Sequence, residues 1–205
     1  SPLAKRIAIE TAEFMLAGLR TPEGGFASAL DADAAGAEGS TYVWTPAQLA
    51  EVLGDADAAW AANLFAVTPR GTFEHGASVL QLPADPRSDD EQRWRSVRAG
   101  LVKARAIRVQ PGRDDKVVTA WNGLAIAALA EAGVLLDQRY LDAAVRCAEL
   151  LLSTHLVDGR LRRTSRDGAV GEALGVAEDY GDLAEGMLVL HQATVVEDLR
   201  EAPPD

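Results

Sequence analysis

One segment restricts the fold more than any other. Over 119–136 the apolar residues Trp121, Leu124, Ile126, Leu129, Val134 and Leu135 leave no polar face at helical spacing. A helix apolar all round is buried all round, so other helices must surround it. The flanking segments have the shape to do so. Over 5–19 the residues Ile7, Ala8, Thr11, Ala12, Met15, Leu16 and Leu19 recur every three or four positions, the mark of an amphipathic helix. The segment 140–152 repeats that pattern, and 176–193 predicts a last, mostly apolar helix. A charged helix over 88–107 carries one apolar seam, Trp94, Val97, Leu101, Ala104 and Ile107. Buried and amphipathic helices that alternate build a two-layered ring of helix hairpins, so the fold class is mainly α.

The connections are short. Thr21-Pro22-Glu23-Gly24-Gly25 ends the first helix, and an extended piece over 26–30 follows. The β-branched and aromatic run Thr41-Tyr42-Val43-Trp44-Thr45 predicts a strand, and 78–82 a second short one. Thr45 suits a helix N-cap with Pro46 in the first helical position, giving short helices over 46–53 and 57–65. The segment 109–117 reads as a loop, and 161–164 as a strand beside an Asp158-Gly159 turn. A faint repeat links the two halves: Ala12-Glu13-Phe14-Met15-Leu16 and Ala148-Glu149-Leu150-Leu151-Leu152 each lead through a Gly turn to an extended segment and an Asp. One incomplete domain over 1–199 is expected, with a frayed tail over 200–205. The chain opens on Ser1 with helix directly after it, as a piece of a longer protein would.

Composition narrows the function classes. The 205 residues carry a formal charge of −11. That disfavours a general nucleic-acid binder, which needs a basic face, and docking on anionic membranes. The single cysteine, Cys147, excludes an internal disulfide and any Cys-x-x-Cys site. No run of 18 apolar residues predicts a membrane span, and no signal peptide is visible, so a cytoplasmic location is expected. Only three of the 20 basic residues are lysines (Lys5, Lys103 and Lys116), which makes a lysine among acidic residues conspicuous.

Four stretches together carry a resemblance. They are Gly24-Gly25-Phe26-Ala27-Ser28-Ala29-Leu30-Asp31-Ala32-Asp33, Tyr42-Val43-Trp44-Thr45, Asp114-Asp115-Lys116-Val117-Val118-Thr119-Ala120-Trp121-Asn122-Gly123-Leu124 and Glu178-Asp179-Tyr180. In this order they resemble the YyaL-like thioredoxin-domain-containing proteins, bacterial relatives of a spermatogenesis-associated mammalian protein. The resemblance implies an amino-terminal thioredoxin-like domain, which this chain lacks, followed by an (α/α)6 toroid similar to those of six-hairpin glycosidases and N-acylglucosamine 2-epimerase. This chain would form part of that toroid, with short β-hairpin insertions. One position departs from the pattern: Leu30 stands where the family usually has an acidic residue before Asp-Ala-Asp.

The candidate site residues are mostly acidic. Asp114 and Asp115, just before the buried helix, are candidate catalytic carboxylates; such pairs can divide acid and base roles. Both equally suit helix N-terminal charge stabilisation. Glu178 and Asp179 begin the last inner helix and are candidates of the same kind, with capping as the alternative. Lys116, Trp121, Asn122 and Tyr180 are candidate substrate-binding groups, although Trp121 also fits a core. Asp31 and Asp33 are candidate pocket residues. Against the calcium-loop pattern Ala35 and Tyr42 fall where ligands belong, so turn capping is the competing role. His75, His155 and His191 have no metal spacing, and no metal or cofactor is expected. The expected function is a carbohydrate-active-like toroid domain that binds or isomerises a sugar or related polyol. The alternative is a non-catalytic scaffold serving the thioredoxin-like domain of the longer protein. An unclosed ring would also expose apolar helix faces through which the chain could form a homodimer.

Overall fold

The computed structural model describes residues 1–201. It is mainly helical with small antiparallel sheets. The helices are α1 (Pro2–Phe14), α2 (Pro46–Leu53), α3 (Asp55–Leu64), α4 (Glu91–Ala106), α5 (Thr119–Leu135), α6 (Gln138–Leu150) and α7 (Ala177–Glu201). The strands are β1 (Ala27–Leu30), β2 (Asp33–Ala34), β3 (Ala37–Glu38), β4 (Arg113–Val118), β5 (Leu156–Val157), β6 (Arg160–Leu161), β7 (Thr164–Arg166) and β8 (Ala169–Val170). The stretch 1–199, read above as one domain, packs as two compact units. One is Ser1–Leu30 together with the chain from Arg113 onward; the other is Asp31–Gly112. Of the tail expected over 200–205, Arg200 and Glu201 still belong to α7, and 202–205 lie outside the described residues.

In the first unit α5 packs between α6 and α7. The approach is close because small residues line both seams. A Cβ on Gly123 of α5 would lie 2.5 Å from the Asp182 carbonyl of α7, and one on Gly186 of α7 would lie 2.5 Å from the Gly123 oxygen. On the other side a Cβ on Gly133 would lie 2.5 Å from Leu141 Cβ. Ala120, Ala130, Ala143 and Ala144 are fully buried beside them. Larger side chains fill the remaining core: Phe26, Val117, Ile126, Leu129, Tyr140, Leu150 and Leu151. Burial drives the Cys147 thiol up to about 12, and its Sγ donates to Asn122 Oδ1 at 3.3 Å, so it packs as a small unreactive residue.

The expectation that the helix over 119–136 is buried on every face is corrected. Trp121 and Leu124 are half exposed and Leu135 is more so, whereas Ile126 and Leu129 are buried. Helices α6 and α7, with a smaller contribution from α1, pack against α5 and leave the side chains of Trp121, Leu124 and Leu135 uncovered.

The faint repeat has a structural counterpart. Both α1 and α6 end in a five-residue π-helical turn, Met15–Leu19 and Leu151–His155. In each copy the turn opens three residues after the alanine of the Ala-Glu motif. A four-stranded sheet follows in the order β1-β4-β7-β8, with every pair antiparallel. The loop expected over 109–117 is therefore corrected, since Arg113–Val118 forms a central strand. Its alternation was hidden by four charged residues in a row, and its partners are distant in sequence. The turn Asp158-Gly159 has positive φ at both positions, as a two-residue hairpin requires, and Asp167-Gly168 repeats it.

In the second unit, Trp44, Leu49, Ala58, Ala61, Phe65, Trp94, Val97 and Leu101 form the core among α2, α3 and α4. Thr45 caps α2 with a full capping box: its hydroxyl accepts from the Gln48 N–H, and Gln48 Oε1 accepts from the Thr45 N–H. Two strand expectations fail here. Within 41–45 and 78–82 only the single bridge between Trp44 and Ser78 forms. A guanidinium explains the irregular backbone. Arg108 donates to the Thr41 and Val43 carbonyls at 3.0 and 2.8 Å and lies 3.8 Å from the Trp44 ring centroid, satisfying the run without a ladder. Ile107, expected in the α4 seam, is 86% exposed because the helix ends before it.

The α5–α7 seam yields a direct expectation. Gly123→Ala should destabilise the chain by about 1–3 kcal/mol, because its methyl would overlap backbone, not a flexible side-chain end. Denaturant melts of the wild type and variant measure the difference. An unchanged midpoint would mean that the helices are not in close contact.

Candidate functional site

Strand alternation builds the site. Side chains at 114, 116 and 118 share one face of β4, and those at 113, 115 and 117 share the other. On the first face Asp114, Lys116, Val118, Trp121, Arg163, Thr164, Ser28 and Ala29 line a groove of about 330 Å³. Asp114, Lys116 and Thr164 also border an adjoining hollow of about 440 Å³ reaching Arg166, Ala169 and Gly171. Lys116 Nζ lies 3.0 Å from Asp114 Oδ2, and this contact holds the Asp114 carboxyl below the usual carboxylate range. Asp114 is therefore ionised at neutral pH, which suits accepting hydrogen bonds and not general-acid work. Trp121 is 50% exposed, its ring beside this pair.

The other predicted residues go elsewhere. Asp115 lies on the opposite face of β4, where its Oδ1 accepts from Arg113 Nε at 2.6 Å. Arg113 in turn donates to the Gly18 and Arg20 carbonyls at the end of the first π-helical turn. Asp115 thus orients a structural arginine, and the expected Asp114–Asp115 pair is split between two faces. Neither residue sits in the first turn of α5, so the helix-charge role expected for them also fails.

That role belongs to Asp179. Its carboxylate is fully buried: Oδ1 accepts from the Ala120 N–H of α5 at 3.1 Å and Oδ2 from the Val176 N–H at the start of α7 at 2.9 Å. One carboxylate therefore serves two helix N-termini, where backbone donors are orphaned and the dipoles favour negative charge. Arg163 connects this arrangement to the groove. Its guanidinium stands 3.6 Å from Asp179 Oδ2 and 3.8 Å from Glu178 Oε2 while also lining the groove. Glu178 itself is exposed, and Tyr180 uses its hydroxyl to accept from the Leu161 N–H at 3.0 Å.

Asn122 is 2% exposed, and its amide is spent inside the core. Oδ1 accepts from the Phe26 N–H, and Nδ2 donates to the Phe26 and Val118 carbonyls. It stitches the entry to β1 onto α5, so the expectation that it meets a ligand is corrected. Asp31 and Asp33 lie in the other unit. Asp33 opens a tight β2–β3 hairpin whose turn, Ala35-Gly36, has positive φ at both residues, and Asp31 Oδ1 accepts from the Asp33 N–H at 3.3 Å. These are turn contacts, and among the described residues no three His, Cys, Asp or Glu side chains gather to hold a metal.

Sequence reasoning missed Ser28, Arg163 and Thr164 in the groove, and it missed the surroundings of His155. That ring is fully buried, with Nδ1 2.6 Å from Thr119 Oγ1 and Nε2 2.7 Å from Ser165 Oγ. Thr119 Oγ1 also lies 2.6 Å from the Arg162 carbonyl. These distances fit a chain in which Thr119 donates to that carbonyl, Nδ1–H donates to Thr119, and Ser165 donates to Nε2. Ser165 pairs with Val117 across β4 and β7 and is buried, although it also borders the hollow beside the groove. The chain is thus a buried polar link among β7, α5 and the second π-helical turn.

The chain is similar to human spermatogenesis-associated protein 20, at 30% identity over 89% of the chain, and to its rat counterpart at 29% over the same share. It is also similar to an uncharacterised protein of Caenorhabditis elegans, at 28% over 82%. In each case it spans 29% of the relative's length, and the relatives support the spermatogenesis-associated family. No family model matches. Among the described residues no helix is long and apolar enough to cross a membrane.

Two outcomes test this geometry. Asp179→Ala should cost about 2–4 kcal/mol, since it strands two buried N–H donors. Urea melts would show a near-neutral change if the cap were dispensable. Burial pushes the His155 pKa below its ordinary value, so the ring is neutral in the native state. Unfolding in acid then takes up a proton: stability is full above about pH 7 and is lost as pH falls through the unfolded pKa of about 6.5 toward the folded one. Melting temperatures between pH 8 and 5 should fall in the wild type more steeply than in His155→Gln; parallel slopes would exclude His155 as the cause.

Proposed function

We propose that this chain is part of an (α/α) toroid in a longer protein of the spermatogenesis-associated protein 20 family, and that its sheet groove binds a sugar or related polyol. The carrying observation is the half-exposed ring of Trp121 beside the Asp114–Lys116 pair. An aromatic face packs against the C–H face of a pyranose, and an ionised carboxylate, an ammonium, a guanidinium and a hydroxyl bond its hydroxyl groups. Asp114 is the one carboxylate lining the groove, and it is held ionised, which favours binding over the acid–base chemistry that isomerisation needs.

A second reading draws on a different surface. Leu135, Val134, Val189 and Ala193 line an apolar hollow of about 350 Å³ between α5 and α7, and Leu188 is largely exposed nearby on α7. Such a face suits a scaffold that packs against another part of the longer protein, the thioredoxin-like module included, or against a second copy.

Thermal melts against mono- and disaccharides and linear polyols separate the two. A ligand at 100 times its Kd should stabilise the chain by about 2.7 kcal/mol. Trp121→Ala should remove that shift while leaving the unliganded melt nearly unchanged. No shift with any member of the panel would overturn the sugar reading, and a concentration-dependent melt or a dimer in sedimentation would favour the scaffold.

A further inference from the structure

A second candidate ligand site lies wholly within the 31–112 unit, independent of the groove described above. Trp44, Phe65, Leu80, Trp94 and Leu101 wall a cleft of about 190 Å³, and Arg98 and Arg105 stand at its mouth. The Phe65 and Trp94 rings form a tilted pair 5.6 Å apart, and the Arg98 guanidinium lies 5.9 Å from the Trp94 ring. No carboxylate is among the residues lining the cleft.

The local charge is opposite to that of the chain. The stretch 92–112 holds Arg93, Arg95, Arg98, Lys103, Arg105 and Arg108 and no acidic residue, in a protein of net charge −11. Arg93 and Arg95 are paired with Asp57 and Glu91. Arg108 is committed to two carbonyls and the Trp44 face. Arg105 makes no ion pair among the described residues; its guanidinium lies 5.6 Å from the Tyr42 ring. Burial, with the like charge of Arg105 added, moves the Arg108 pKa below its ordinary value, so an anion beside Arg105 would relieve a repulsion already present.

We propose that this cleft binds a small aromatic carboxylate, its ring among Trp44, Phe65 and Trp94 and its carboxylate on Arg105. An aromatic wall selects a planar apolar body, because offset and edge-on ring contacts add to simple burial. A guanidinium at the mouth selects a carboxylate through paired charge-assisted hydrogen bonds. The size of the cleft admits one small ring system and excludes long chains.

Ligand-observed saturation-transfer titrations of the whole chain with indole-3-acetate and its neutral twin indole-3-acetamide test this. The carboxylate should bind about tenfold more tightly than the amide, the value of one charge-assisted contact. Arg105→Gln, an exposed position, should abolish that preference without changing the melt. Val102→Trp, at the half-exposed rim, should block both compounds, whereas Trp121→Ala should leave both unaffected. Equal binding of the two compounds, a preference surviving Arg105→Gln, binding unaffected by Val102→Trp in a folded protein, or no saturation by either compound would each overturn the proposal. None of these results depends on whether the sheet groove binds sugars.

Discussion

The first unit depends on one backbone contact. Helices α5 and α7 meet where Gly123 and Gly186 leave no room for a methyl group, so the two backbones themselves form the interface. Helices so close bring their N-termini together, and this lets the single carboxylate of Asp179 serve donors from both. With the start of α5 fixed, β4 emerges paired with both β1 and β7, and the Asp114–Lys116 face is set beside Trp121. The groove is thus a consequence of packing by small residues at some remove from it. Its polar side chains contribute chemistry but not position.

The same geometry explains why an acidic residue that looks catalytic in the sequence can be structural. Asp179 is buried, acidic and next to a groove-lining arginine, features common in active sites. Yet both of its oxygens are engaged by backbone N–H groups. Asp115 is likewise held by Arg113, which grips two carbonyls. Of the acidic residues considered, Asp114 alone lines the groove, and there it is balanced by Lys116.

Helices were the legible part of the sequence. Apolar spacing located α1, α4, α6 and α7, and Thr45-Pro46 marked a cap that is present with its full reciprocal bonding. Strands were harder to read because their warrant is a distant partner. Arg113–Val118 carries four charges before its first valine and looks like a loop until β1 and β7 flank it, whereas Thr41-Tyr42-Val43-Trp44 has strand composition but its Thr41 and Val43 carbonyls accept from Arg108. Of the site, Asp114, Lys116 and Trp121 were visible because they are contiguous with a specific motif. Ser28, Arg163 and Thr164 carry no local signal and are recruited by sheet pairing across more than 80 and about 50 positions.

The paired π-helical turns have a further meaning. A wide turn is an α-helix holding one residue more than its bonding pattern needs, and the surplus rotates everything after it by about a quarter of a revolution. Both copies of the repeat carry the surplus at the same motif position, and each turn closes on its fifth residue. In one copy that residue is Leu19, in the other His155. An identical helical phase has thus been filled once with hydrocarbon and once with an imidazole, which met two hydroxyl groups from the neighbouring segments. The repeat fixes where a side chain arrives, and the identity of that side chain decides whether the space becomes oily or acid-sensitive.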